Sequence, residues 1–170
     1  MFSLGRYPVI VAMTRHPIRA WILTLGLVLS SCAVAPRRTP EISSAREFQA
    51  LLRNLAEAWN SGESRRAAEC FTEDAIYTEP PDKQVYRGRE ALFRFFGGAA
   101  GRPGQMTMRW HHLAFDPDTQ IGFGEFSFRY GTTVHGIAVV RLRQGKIANW
   151  REYWGESTLP WDQFIRANPF

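Results

Sequence analysis

Two glutamates and a tyrosine carry the acid–base chemistry that this chain can offer. Glu152 lies in Gly145-Lys-Ile-Ala-Asn-Trp-Arg-Glu-Tyr-Trp154, and Glu79 follows Tyr77-Thr78 and precedes Pro80. Side chains alternate between faces along a strand, so Trp150, Glu152 and Trp154 share one face, and Tyr77 and Glu79 share another. Phe126, Phe128 and Tyr130 share a face of a third strand-like segment, and Trp59 ends the apolar stripe of a helix. Together these side chains would form an aromatic cavity with two carboxylates, the general form of a small-molecule site. Desolvation and mutual repulsion push enclosed carboxylates above their ordinary range, so that one is neutral and donates while the other accepts. The candidate catalytic residues are therefore Glu79, Glu152 and Tyr77. The candidate ligand-binding residues are Trp59, Phe126, Phe128, His135 and Trp154. His135 enters as a group that changes charge near neutral pH.

Each of these side chains has a structural alternative. Glu79 would sit solvated at a rim, and Glu152 would pair with Arg129, Arg141 or Arg151 on the sheet surface. Trp59 and the phenylalanines would be core, and His135 a structural strand histidine. The Trp150-Arg-Glu-Tyr-Trp154 run would then serve packing, with its polar members bonding across strands. His111 and His112 are adjacent on a strand, which would point them to opposite faces and prevent a shared grip on one metal. The sequence has no Cys/His spacing of the zinc-site kind, and neither a metal nor a cofactor is expected.

The elements that must position these groups read as helices followed by strands. Ser44-Ala-Arg-Glu47 fits a capping box, and Phe48, Leu51, Leu52, Leu55 and Trp59 follow at helical spacing. Asn60-Ser61-Gly62 stops this helix. Ser64 is placed to cap a second short helix ending near Phe71. Ala75 to Glu79 is strand-like and is broken by Pro80-Pro81. A third helix runs from Arg89 to Phe96, and Ala99 to Gly104 reads as a glycine-rich loop. Met106 to Phe115, Gln120 to Tyr130, Thr133 to Arg143 and Lys146 to Trp154 read as an antiparallel meander of long strands. Interior glycines at 122, 124 and 136 suggest that the sheet bends. Helices first and strands after is an α+β pattern.

The front of the chain has a different task. Arginines at 6, 15 and 19 precede the apolar run Ala20 to Leu29, and Ser30-Ser31-Cys32 follows. Ten residues rise about 15 Å as a helix, roughly half a bilayer core, so the run is too short to span. A charged start, a short apolar run and small residues make a signal peptide. Leu29-Ser30-Ser31-Cys32 is similar to a bacterial lipobox, in which the cysteine is lipidated. Met13-Thr14-Arg15 offers a second start for the same signal. The expected organisation is a removed signal at 1–31, lipidated Cys32 and a tether at 32–42, a domain at 43–158 and a C-terminal tail at 159–170. Removing the signal takes away three arginines and no acid, so the net charge falls from +5 to +2. That charge gives little support for nucleic-acid binding. With Cys32 acylated, Cys70 is left without a disulfide partner.

The quoted segments are also similar to those of a known family. Ala58-Trp-Asn-Ser-Gly62, Phe71-Thr-Glu-Asp-Ala-Ile-Tyr-Thr-Glu-Pro80 and Tyr86-Arg-Gly-Arg-Glu-Ala91 resemble the front half of the nuclear transport factor 2-like superfamily. Gly145 to Trp154 resembles its last strand, closest to the SnoaL-like branch, and the likeness runs from about Ala45 to Glu156. The resemblance implies a cone-shaped α+β barrel, a curved and mainly antiparallel sheet wrapped on N-terminal helices. It also implies a pocket into which the Glu152 face looks, and in many members a dimer through the sheet. Compared with ketosteroid isomerase, Glu79-Pro80 falls at the place of the general base, but the oxyanion-hole positions fall on Leu55 and on Ile137 or Ala138. Compared with limonene-1,2-epoxide hydrolase, Tyr77, Glu79 and Glu152 occupy matching places. Phe126 and Phe128 stand where an arginine and a second aspartate complete that relay, so neither chemistry carries over whole.

Three readings follow. The first is a membrane-anchored, extracytoplasmic SnoaL-like domain whose aromatic pocket binds a small apolar or aromatic molecule. The second is an isomerase, cyclase or hydratase using Glu79 and Glu152, with Tyr77 as donor. The third is an envelope accessory protein that docks a partner through its sheet. Expected partners are the membrane, through the lipid on Cys32, the small molecule and a second copy of the chain. Ala33 rather than Asp after the cysteine resembles known sorting signals for the outer membrane, so the anchor is expected there, facing the periplasm of a two-membrane bacterial envelope.

Overall fold

The computed structural model describes residues 41–80 and 84–169. The expected signal segment at 1–31, Cys32, the expected tether up to residue 40 and Pro81 lie outside the described residues. Helix α1 (Ala45–Asn60) begins at the expected capping box. The Ser44 hydroxyl accepts from Glu47 N, and the Glu47 carboxylate accepts from Ser44 N. Phe48, Leu52, Leu55 and Trp59 are buried, and Leu51 is half-buried. Burial of each large apolar side chain contributes about 1.5–3 kcal/mol, so this stripe holds the helix to the sheet. Helix α2 (Ser64–Glu69) is shorter than expected. Ser64 is not its cap: the hydroxyl donates to Phe96 O at 2.8 Å and ties α2 to the next helix.

Strand β1 (Phe71–Glu79) starts at Phe71 rather than Ala75. Strand β2 (Gln84–Arg87), which the sequence did not announce, pairs antiparallel with it. Helix α3 (Arg89–Phe95) follows, and a 3₁₀ turn at Gly98–Ala100 occupies part of the expected glycine-rich loop. Then come β3 (Thr107–Asp116), β4 (Ile121–Tyr130), β5 (Thr132–Arg143) and β6 (Lys146–Glu156). A short helix α4 (Trp161–Phe164) lies in the segment set apart as a tail.

The sheet order is β2-β1-β6-β5-β4-β3. Strands β3 to β6 form the expected antiparallel meander, while β1 lies parallel to β6. The α+β class stands. The sheet ends in two edges, β2 and β3, and does not close into a barrel.

Helices α1 to α3 cover one face of the sheet, the inner face, while α4 packs against His111 and His135 on the other. Trp110 on β3 donates its indole N–H to Leu52 O at 3.0 Å. Asn60, at the end of α1, pairs with the backbone of Met108 in both directions, at 3.0 and 2.6 Å. These bonds fix the last turn of α1, and with it Trp59, against β3. Two strand glycines stand where packing is closest. A Cβ on Gly122 would lie 2.4 Å from Phe48, and one on Gly124 2.5 Å from Leu113. No helix among the described residues is long and apolar enough to cross a membrane.

Candidate active site

Strands β1 and β6 are adjacent because they pair in parallel, with Tyr77 opposite Trp150. Their rings stack at 5.4 Å and 6°. Two residues further along β6, Glu152 points to the same inner face and is only 7% exposed. Tyr77 donates its hydroxyl to Glu152 Oε2 at 3.2 Å, and Trp150 donates its indole N–H to the same oxygen at 2.9 Å. Both bonds converge on Oε2, so a proton on the neutral acid sits on Oε1. Burial first, then the charge of Glu79 and hydrogen bonding with it, push Glu152 up to about 8 against the donors Trp150 and Tyr77. At neutral pH the protonated form of Glu152 is therefore favoured. Burial also raises the Tyr77 hydroxyl well above its ordinary value, helped by the charges of Glu152 and Glu79, so it remains a donor.

These groups line a cavity of about 130 Å³. Its buried wall includes Trp59, Phe96, Met106, Met108, Phe126 and Val134. Its half-buried or exposed rim includes Glu79, Phe95, Arg102, Phe128, Thr132 and Trp154. Trp59 is buried edge-on to Trp150 and Phe96, and its Nε1–H has no acceptor among the described residues. The structure thus brings Trp59, Tyr77, Glu79, Phe126, Phe128, Glu152 and Trp154 to one cavity. Glu152 is not on the arginine-bearing outer face, and Glu79 is neither buried nor fully solvated. Trp59 and Phe126 belong to core and cavity wall alike.

His135 is elsewhere. In the β4–β5 register Gly136 faces Phe126, which turns the even residues of β5 inward and His135 outward. There its Nε2 lies 2.8 Å from Leu159 O, and its ring packs on Phe164 and Trp161. The expected opposition of His111 and His112 is also corrected. A bulge between Trp110 and His112 shifts the register, so both imidazoles lie on the outer face. His111 meets Ser127 Oγ and stacks on Trp161 at 3.6 Å, while His112 meets Glu125 Oε2. Burial and neighbouring Arg109 lower His111 to about 4. Among the described residues no group of three or more His, Cys, Asp or Glu is arranged to hold a metal.

Arg102 also stands on the rim, outside the set of residues expected there. Its guanidinium donates to Phe95 O and lies over the Phe95 ring at 4.6 Å and the Tyr130 ring at 5.6 Å. The only signal for it is one arginine inside a segment rich in glycine. Gly97 makes its placement feasible: a Cβ there would lie 2.7 Å from Arg102 N.

The model of the SnoaL-like domain matches residues 52–150. Among solved structures, an NTF2-like protein of unknown function from Burkholderia xenovorans LB400 is 16% identical. The match covers 74% of this chain and 94% of that one, with a TM-score of 0.57. The epoxide hydrolase/cyclase-like enzyme SalBIII, from pyran ring formation in the polyether salinomycin, is 23% identical. That match covers 67% of this chain and 95% of that one, with a TM-score of 0.57. An LEH-like epoxide hydrolase from M. tuberculosis is 18% identical over 65% of this chain and 84% of its own, with a TM-score of 0.53. At these identities the likeness is one of fold. No curated protein matches.

Proposed function

The chain belongs to the SnoaL-like domain family, and from that premise we propose that it binds a small ring compound in its cavity and catalyses proton transfer on it. The reaction class is isomerisation, cyclisation or hydration. The observation that carries this reading is Glu152, buried and neutral beside Tyr77 and Glu79 on the cavity wall. A binding module has no need of a buried carboxyl group, whose desolvation costs stability. An acid–base enzyme needs one held near neutrality. Glu152 is the general acid through Oε1, Glu79 the general base, and Tyr77 the donor that orients the acid. The cavity volume sets ligand size: an engineered cavity of about 150 Å³ takes benzene, so a single ring fits with its substituent at the mouth.

The test is deuterium exchange at the α-carbon of cyclohexanone, followed by proton NMR in heavy water. The full-length chain accelerates exchange, and Glu79→Gln and Glu152→Gln each reduce it about 10²- to 10⁴-fold. Ring binding without any exchange would favour the alternative of a pure binding module.

The setting proposed for this activity is a bacterial envelope, with the domain tethered by a lipid on Cys32 to the outer membrane and facing the periplasm. The charged start, short apolar run and small residues before Cys32 support it. Replacing Cys32 with Ala abolishes azido-palmitate labelling and releases the protein from membranes; a variant still labelled and sedimenting overturns the anchor. The outer sheet face supports the homodimer reading. Ile137 and Tyr153 are cross-strand partners and Phe123 is a diagonal neighbour, all 38–49% exposed. A second copy of the chain is the occupant proposed for that face, ahead of an unrelated envelope partner. Native mass spectrometry of wild type and Ile137→Asp separates dimer from monomer.

A further inference from the structure

We propose that Arg102 anchors an anionic group of the ligand, so that the cavity takes a single-ring carboxylate rather than a neutral ring. This inference rests on the small-molecule reading of the cavity and names the ligand's charge. Arg102 is the only cation among the described residues that line the cavity. It stands at the mouth, half-buried, where a substituent leaving a ring-sized chamber must pass.

The guanidinium is held before any ligand arrives. It donates to Phe95 O and is steadied over the faces of Phe95 and Tyr130. The Tyr130 hydroxyl in turn donates to Pro103 O at 2.6 Å, closing the loop onto β4. These contacts employ Nε and Nη2, and Nη1 is left with no hydrogen bond to the described residues. No carboxylate of the described residues lies within ion-pair distance of Arg102. A positioned guanidinium presents parallel donors that match a carboxylate. Its opposite number inside the cavity is Glu152, which is neutral and so does not repel an anion from the chamber. Glu79 at the rim is the other acidic side chain among the described lining residues, and it favours a ligand whose anionic group leans toward Arg102. The ring then lies between Trp59 and Phe126, within reach of the acid.

Benzoate and benzamide test this, since they share shape and differ in charge. Isothermal titration calorimetry with the full-length chain should give benzoate an affinity about 10- to 100-fold above benzamide, the range of a charge-assisted hydrogen bond. Arg102→Gln should erase that preference while leaving benzamide binding within about twofold, showing that the chamber is intact. On wild type, added salt should weaken benzoate and leave benzamide unchanged, a readout that does not depend on the variant folding. A preference absent in wild type, or surviving both Arg102→Gln and salt, overturns the anchor while the cavity reading stands. If neither probe binds, both the cavity reading and the anchor fall.

Discussion

Replacing Glu152 with Gln tests the buried acid directly, because glutamine copies the neutral carboxyl group in shape and cannot ionise. In the folded chain Glu152 titrates near 8, against an ordinary value of 4.5. A raised carboxyl value means that the folded state holds more protons than the unfolded state between those limits. The stability from the neutral acid is therefore complete below about pH 4.5, falls as pH rises toward 8, and does not change beyond that. Each pH step across the interval costs about 1.4 kcal/mol, so the full interval amounts to on the order of 5 kcal/mol. That is comparable with the whole stability of many domains, about 5–15 kcal/mol. The amide oxygen of the substituted glutamine accepts from Tyr77 and Trp150 as the acid does, and its NH₂ donates where Oε1 carries the proton. Urea unfolding of wild type and Glu152→Gln at pH 5, 7 and 9 reads the difference. At pH 5 the two are within about 1 kcal/mol of each other. At pH 9 the variant is more stable by several kcal/mol. A wild-type-minus-variant difference that stays flat from pH 5 to 9 would refute the buried, neutral acid and the general-acid role with it.

Tyr77→Phe removes one of the two donors to Glu152 Oε2; carboxyl-carbon NMR should find Glu152 titrating higher still, with about 0.5–1.5 kcal/mol of stability lost. Gly136→Ala places a Cβ 2.6 Å from Trp154 Cβ and from Tyr153 O and crowds the cavity wall. It should cost about 1–3 kcal/mol by chemical denaturation and weaken ring binding in the same preparation. Trp161→Ala removes the ring that stacks on His111 and meets His135. Hydrogen exchange should quicken in residues 157–169, with little change at Glu152, since the outer-face contact does not touch the cavity.

Local signals made much of the fold legible. The stripe from Phe48 to Trp59 and the Ser44–Glu47 box each depend on neighbours within a turn or two, and both are in the structure as read. The long strands β3 to β6 announced themselves by length and by turn residues. β2 did not, since its four residues are stable only as the edge partner of β1, a tertiary fact. Parity carried the site. Glu152, Trp150 and Trp154 were placed by alternation along an unbulged stretch of β6, and the same rule failed at His111 and His112, where a bulge inserts a residue. His135 lies away from the cavity because its facing follows from the register with β4, where Gly136 meets Phe126, which the strand alone does not disclose. Arg102 was hidden for the opposite reason: a glycine-rich loop reads as slack until Phe95, Tyr130 and Gly97 show what it holds.

The parallel pairing of β1 with β6 also sets when the site comes into being. Tyr77 and Glu152 are 75 positions apart, and they meet only through that ladder. Contacts so distant along the chain form late, after the loop between them has been closed by the intervening elements. A ribosome that has released β1, the helices and most of the meander has therefore made no acid–base pair. The carboxyl group becomes an acid with unusual proton affinity only when the last strand docks and excludes water. Activity in this chain is then a report on completed folding, and a C-terminal truncation within β6 removes the chemistry at a stroke rather than by degrees.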